Sequence, residues 1–213
     1  MPQTHHDAVF MLSAAKPASY PPAGPPELAF AGRSNVGKSS LINCLLRRRK
    51  LVKVSSRPGC TQLINFFALG GDSLRLVDLP GYGFAKVPLS VKAGWRRMIE
   101  SYLTGRPTLR GVVVILDIRR DPGEEDLMLL EWLKSLGVPA VVAVTKSDKL
   151  SRSQAAARLV RLRPVLGPFD EKPVVFSAQT GQGREELWRR MELLTAPPAA
   201  GDAPAPEGPV GEA

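Results

Sequence analysis

Along this chain, short apolar runs alternate with stretches whose apolar positions recur every three or four residues. That is the pattern of βα units around a mostly parallel sheet. "ELAFAG", residues 27–32, predicts a first strand running straight into a glycine-containing loop and a helix, "KSSLINCLLRR". "TQLINFFAL" and "SLRLVD" predict two strands joined by the turn Gly70-Gly71-Asp72, hence an antiparallel hairpin. "GVVVILD" and "PAVVAVTK" are unbroken apolar runs, as strands covered on both faces should be. Between them Leu127, Leu130, Leu133 and Leu136 recur every third position and predict one apolar helix face. "SRSQAAARLVRLRPVL" opens with a capping box, Ser151 and Gln154, and places Leu159, Leu162 and Leu166 on one side. "KPVVFSA" predicts a last strand and "REELWRRMELL" a last helix. The expectation is one α/β domain, roughly six mostly parallel strands flanked by about five helices.

The ends differ from this middle. Residues 15–26, "AKPASYPPAGPP", read as extended chain, so residues 1–26 are expected to form a lead-in and 27–195 the folded domain. The Pro/Ala-rich tail, 196–213, has too little apolar surface to fold and is expected to be disordered. No run approaches the roughly 18 apolar residues of a membrane span. The short "AVFMLSAA" follows Asp7 rather than a basic segment, unlike a signal peptide. A cytoplasmic protein without membrane attachment is expected. Cys44 and Cys60 have no CxxC spacing and read as two free thiols.

Charge narrows the choice of partner. The 213 residues carry a net charge of +9, yet the last eighteen hold three acids and no base, so the remainder carries +12. Arginines and lysines cluster at residues 47–50, 96–97, 119–120 and 158–163. Any one cluster is accounted for by a solvated helix face; together they favour a polyanion such as RNA.

The candidate chemistry begins at "GRSNVGKS", residues 32–39, which fits the P-loop pattern with a strand before it and a helix after. Its glycines let successive N–H groups converge with the helix N-terminus into an anion cradle, where an ordinary glycine turn would only expose a lysine. Gly32, Arg33, Ser34, Asn35, Val36, Gly37, Lys38, Ser39 and Ser40 are the predicted phosphate-side residues. Lys38 reaches the β- and γ-phosphates as the catalytic cation, and the Ser39 hydroxyl takes Mg²⁺. In "VDLPGYG", Asp78 ends a strand near Ser39 and is expected to hold the same metal through a water, while the Gly81 N–H meets the γ-phosphate. This turn is expected to move with the presence of that phosphate.

Base choice is assigned to "TKSD", Thr145–Asp148, again at the end of an apolar strand. The Asp148 carboxylate can accept from guanine N1–H and its 2-amino group, whereas adenine would leave a carboxylate unpaired. Lys146 lays its stem over the base, and Ser177-Ala178 offers a backbone N–H to guanine O6. Thr61, with Gly59 two residues before it, lies where a hydroxyl can swing onto Mg²⁺; a threonine opening a strand would look the same.

"FAGRSNVGKSSLIN", "PGCTQLINFF", "DLPGYGFA" and "TKSDK" together resemble the EngB (YihA/YsxC) GTPases of bacteria, over residues 27–195. The resemblance implies a Ras-like P-loop fold, GTP and GDP as ligands with Mg²⁺, and a role in assembling the large ribosomal subunit, with a link to cell division and septum formation. It carries Gly37, Lys38 and Ser39 to phosphate and metal, Thr61 and Asp78 to metal, and Lys146 and Asp148 to guanine. Cys60 stands where the family usually has arginine. Asn35 matches an asparagine that related GTPases use to hold K⁺ beside the phosphates. Tyr82 occupies the place of a water-orienting glutamine, so slow intrinsic hydrolysis is expected. A monomer is expected. The alternatives are a low-turnover module sensing GTP against GDP on RNA or ribosomes, and a GTPase acting on tRNA.

Overall fold

The computed structural model describes residues 7–48, 51–52, 63–83 and 89–196, with backbone alone at 89–93 and 95. A seven-stranded sheet runs in the order β1-β3-β4-β2-β5-β6-β7. Its strands are β1 (Val9–Ala14), β2 (Glu27–Gly32), β3 (Ile64–Leu69), β4 (Leu74–Asp78), β5 (Leu109–Asp117), β6 (Ala140–Thr145) and β7 (Val174–Val175). β3 is antiparallel to both neighbours, and every other pairing is parallel. The helices are α1 (Lys38–Leu45), α2 (Leu89–Gly105), α3 (Glu124–Ser135), α4 (Arg152–Leu166) and α5 (Arg184–Thr195). No helix among the described residues is long and apolar enough to cross a membrane.

Alternation along the strands builds two cores. Leu28, Phe30, Val113 and Ile115 pack with Leu41, Ile42 and Leu45 of α1 and with Leu187, Trp188 and Met191 of α5. Ala29, Ala31, Val112 and Val114 face the other way, toward Tyr102 of α2, Leu130 and Leu133 of α3, and Leu162 and Leu166 of α4. Both faces are therefore covered, as the unbroken apolar strands require.

Three expectations change. The sheet has seven strands rather than six, because Val9–Ala14 pairs with β3 at the edge. Val9 and Phe10 stay exposed there, so the strand lacks the buried alternation that marks its neighbours. Leu136 is also exposed and Leu127 only half-buried. A three-residue step falls 60° short of each helical turn, so four such leucines fan around the helix and only Leu130 and Leu133 reach the core. The last strand shrinks to two residues. α2 is the helix to which the apolar spacing assigns no residues. The α4 capping box is present: Ser151 Oγ accepts from Gln154 N–H and Gln154 Oε1 from Ser151 N–H.

At the end of β2 opposite Gly32, Glu27 is fully buried. Arg106 donates to it through Nε (3.0 and 2.9 Å) and Nη2 (2.5 Å), and the Tyr102 hydroxyl donates at 2.9 Å. Removing one partner of a buried ion pair strands the other charge, so Arg106→Met should lower stability by about 3 kcal/mol in urea unfolding. An unchanged midpoint would show that Arg75, 3.7 Å from Glu27, suffices alone.

Candidate functional site

β2 lies between β4 and β5, so its carboxyl end opens at the point where strand order reverses, where open α/β sheets bind ligands. The chain turns there from Gly32 into α1. Gly37, just ahead of the helix, has φ +105°, a conformation that a side chain disfavours. No side chain caps α1, so its first N–H groups remain available to an anion.

Lys38 and Asp78 meet under this loop. The Lys38 ammonium contacts Asp78 Oδ1, both side chains are nearly buried, and the Asn65 amide donates to Asp78 Oδ2 at 3.3 Å. Ser39 and Ser40 are half-buried beside them on α1. The segment after Asp78 lies against the P-loop: Ser34 N–H donates to the Tyr82 carbonyl (2.9 Å) and Tyr82 N–H to the Gly32 carbonyl (3.3 Å). Gly81 is required by this approach, since a β-carbon there would stand 2.9 Å from Ser34 Oγ and 3.4 Å from Ser34 Cα.

Tyr82 does not point into the cleft. Its ring is buried and its hydroxyl donates at 2.7 Å to Asp126 Oδ1, while Asp126 Oδ2 accepts from Gly123 N–H at the start of α3. Burial, and next the Asp126 charge, push the phenol well above its ordinary pKa. Arg33 also turns outward, its Nε 3.9 Å from Glu125 of α3, so the P-loop side of the cleft receives its backbone rather than its guanidinium.

The TKSD segment serves two ends. The Thr145 hydroxyl lies 2.5 Å from the Val36 carbonyl and 3.0 Å from that of Leu116; its single proton favours the shorter contact. Lys146, at φ +61°, donates from Nζ to the Asn35 carbonyl at 2.5 Å. Asp148 Oδ1 accepts from the buried Ser177 hydroxyl at 2.8 Å, and Lys149 Nζ lies 3.3 Å from Oδ2. The Ser177 hydrogen bond, outweighing burial, holds the Asp148 carboxyl below its usual range. Ser177 N–H is committed to the Gln182 carbonyl, whereas Ala178 beside it is exposed. Gly59, Cys60 and Thr61 lie outside the described residues. Of the remaining predicted residues, the fold gathers all at the carboxyl edge of the sheet.

The family described as 50S ribosome-binding GTPase matches residues 27–146. The probable GTP-binding protein EngB of Citrifermentans bemidjiense is 52% identical over 209 residues, 95% of this chain and 97% of that protein. Its namesake in Geobacter metallireducens is 54% identical over 189 residues, 89% of this chain and 92% of that one. The chain belongs to the EngB family of GTP-binding proteins. As an EngB family member it is a GTPase that binds GTP and GDP. A crystal structure of a probable GTP-binding protein EngB superposes with TM-score 0.62 at 28% identity, over 79% of this chain and 98% of that one. Aquifex aeolicus Era bound to GDP·AlF4⁻ shares the fold, with TM-score 0.64 at 20% identity, over 80% of this chain and 57% of that one.

Sequence reasoning passed over one residue of this EngB site. Asp117 ends β5 as Asp78 ends β4, and that shared position, an acid closing an apolar strand, was the available signal. Its carboxylate receives Arg119 Nε (2.9 Å), Nη2 (2.7 Å) and N–H (3.1 Å), and lies 3.0 Å from Lys146 Nζ. It thus fixes the ammonium of the lysine assigned to the base. Burial alone would raise the Asp117 pKa, but the Arg119 and Lys146 hydrogen bonds override it and hold the group at about 2, against 3.8 ordinarily. A carboxyl whose pKa is lower in the folded state stabilises fully above 3.8 and loses that contribution as pH falls through about 2. Asp117→Asn should therefore melt below wild type at pH 5, with the gap closing as pH approaches 2. A gap independent of pH would remove the charge from this account.

Proposed function

We propose that the chain binds GTP with Mg²⁺ in the cleft at the carboxyl ends of β2, β4 and β6, and hydrolyses it as a switch in assembly of the large ribosomal subunit. The observation that carries the nucleotide site is the buried Lys38–Asp78 ion pair at the start of α1, with Ser39 the next residue of that helix and Asp148 held by Ser177 after β6. Asp78 already faces a cation, the Lys38 ammonium. A carboxylate with a neighbouring hydroxyl is a hard oxygen donor set suited to Mg²⁺, so the residues fit that ion. Ser39 and Asp78, with Thr61 as a further donor, would hold Mg²⁺, which would supply positive charge to the phosphate oxygens.

The chain's own groups do the remaining work. Lys38 leaves Asp78 for the β- and γ-phosphates and stabilises the charge that grows on them as water attacks in line. Gly81 N–H meets the γ-phosphate, so the segment carrying it reports which nucleotide is bound. Asp148, ionised and oriented by Ser177, accepts from guanine, Ala178 N–H donates to guanine O6, and the Lys146 stem covers the ring. Asn35 stands at φ +67° with an exposed side chain, open to a K⁺ ion that would add charge beside the phosphates. Tyr82, turned to Asp126, orients no water, which supports slow intrinsic hydrolysis.

The ribosomal partner is supported by the family description and by the basic surface. α4 holds four arginines and no acid, and Arg152, Arg161 and Arg163 form no ion pair among the described residues. In this reading the switch acts in the cytoplasm as a monomer, and its link to cell division and septum formation rests on the resemblance to the family.

Lys38→Ala should abolish tight GTP binding, and Asp148→Asn should move preference from guanine toward xanthine nucleotides. Unchanged base choice in Asp148→Asn would displace the pocket. Cosedimentation with large ribosomal subunits should depend on whether a GTP analogue or GDP is bound, and failure to bind in both states would sink the assembly role. Hydrolysis should be faster in K⁺ than in Na⁺ buffer; equal rates would remove the K⁺ site.

A further inference from the structure

Ser34 is the third residue of the P-loop, and its hydroxyl oxygen is buried without a hydrogen-bond partner. Its N–H is already committed to the Tyr82 carbonyl. An unsatisfied buried hydroxyl costs about 1–3 kcal/mol, and native structures seldom keep one unless a ligand, ion or water completes it. The location says what completes this one. The 2.9 Å from Ser34 Oγ to a β-carbon built on Gly81 puts the hydroxyl in the seam between the P-loop and the glycine assigned to the γ-phosphate. The phenol that follows Gly81 does not satisfy it, since Tyr82 donates to Asp126.

We propose that the Ser34 hydroxyl is a further catalytic group of the GTPase, donating to a γ-phosphate oxygen and accepting from the attacking water. The proposal rests on the reading of GTP in this cleft. A hydroxyl has one proton and two lone pairs, so it can do both at once. The water oxygen bonds to the γ-phosphorus and the bond from that phosphorus to the β,γ-bridging oxygen breaks, its electron pair leaving with GDP. The proton shed by the water passes to a γ-phosphate oxygen. Ser34 ends the step as it began, having aligned the water and held the oxygens that gain charge. GDP lacks the γ-phosphate and gives the hydroxyl no such partner, so its contribution is specific to GTP.

The test uses full-length wild type, Ser34→Ala and Ser34→Gly, with three readouts: GDP affinity, melting temperature without nucleotide, and single-turnover GTP hydrolysis. Ser34→Ala deletes an unpaired buried group, so the nucleotide-free variant should melt no lower than wild type. It should bind GDP within about twofold of wild type, while hydrolysis falls by about 10²-fold, the low end for loss of one preorganised donor. Ser34→Gly should show the same loss of rate. A wild-type rate in Ser34→Ala would overturn the proposal. A fall in GDP affinity parallel to the fall in rate would also overturn it, because that is the signature of a loop-shaping role. Wild-type protein that binds neither nucleotide would overturn the GTP reading and the proposal together, an outcome read before any variant is made.

Discussion

Two P-loop carbonyls are held from β6: the Thr145 hydroxyl donates to Val36, and the Lys146 ammonium to Asn35. A loop that turns its N–H groups inward toward an anion must turn carbonyls outward. The Val36 carbonyl is buried and needs a donor, or the loop relaxes toward a shape that satisfies it. The strand that carries the base-recognition segment supplies those donors. The P-loop and the proposed guanine pocket are thus tied into one mechanical unit, with the ordering cost met before a nucleotide arrives.

Charge is arranged on the same edge. Asp78 closes β4 and Asp117 closes β5, and Asp148 follows β6; each already has a cation, Lys38, Arg119 with Lys146, and Lys149 respectively. Removing one member of a buried pair strands the other, so Lys38 and Asp78 keep each other satisfied in the nucleotide-free protein; in the proposed function a nucleotide and its metal would offer both a new partner. Asp117 acts differently. Tied by Arg119 on one side, it keeps the Lys146 ammonium against the P-loop carbonyl of Asn35.

Local chemistry was readable from the sequence. The strand–glycine loop–helix order, the acids ending apolar runs and the α4 cap depend on neighbours within a few residues. What needed three dimensions depends on long-range packing. Tyr82 sits between two glycines, suggesting an exposed tip, but Asp126, forty-four residues on, supplies a buried acceptor. Arg33 lies within the P-loop pattern, yet Glu125 draws its side chain outward. Thr145 belongs to the base motif by position and to the P-loop by hydrogen bond. β1 was missed because an edge strand with one partner carries no buried alternation. Asp117 closes an apolar run as Asp78 does, but its tie to Lys146 is made across the β5–β6 pairing, twenty-nine residues on, and depends on that pairing.

The claim that β6 preforms the phosphate cradle is tested most directly by GDP affinity in Thr145→Val, measured by titration calorimetry on the full chain. The substitution keeps the shape and deletes the proton that Val36 accepts. Loss of one buried hydrogen bond, about 1–2 kcal/mol, predicts GDP binding weaker by about tenfold with the fold retained. GDP binding at the wild-type affinity would contradict it.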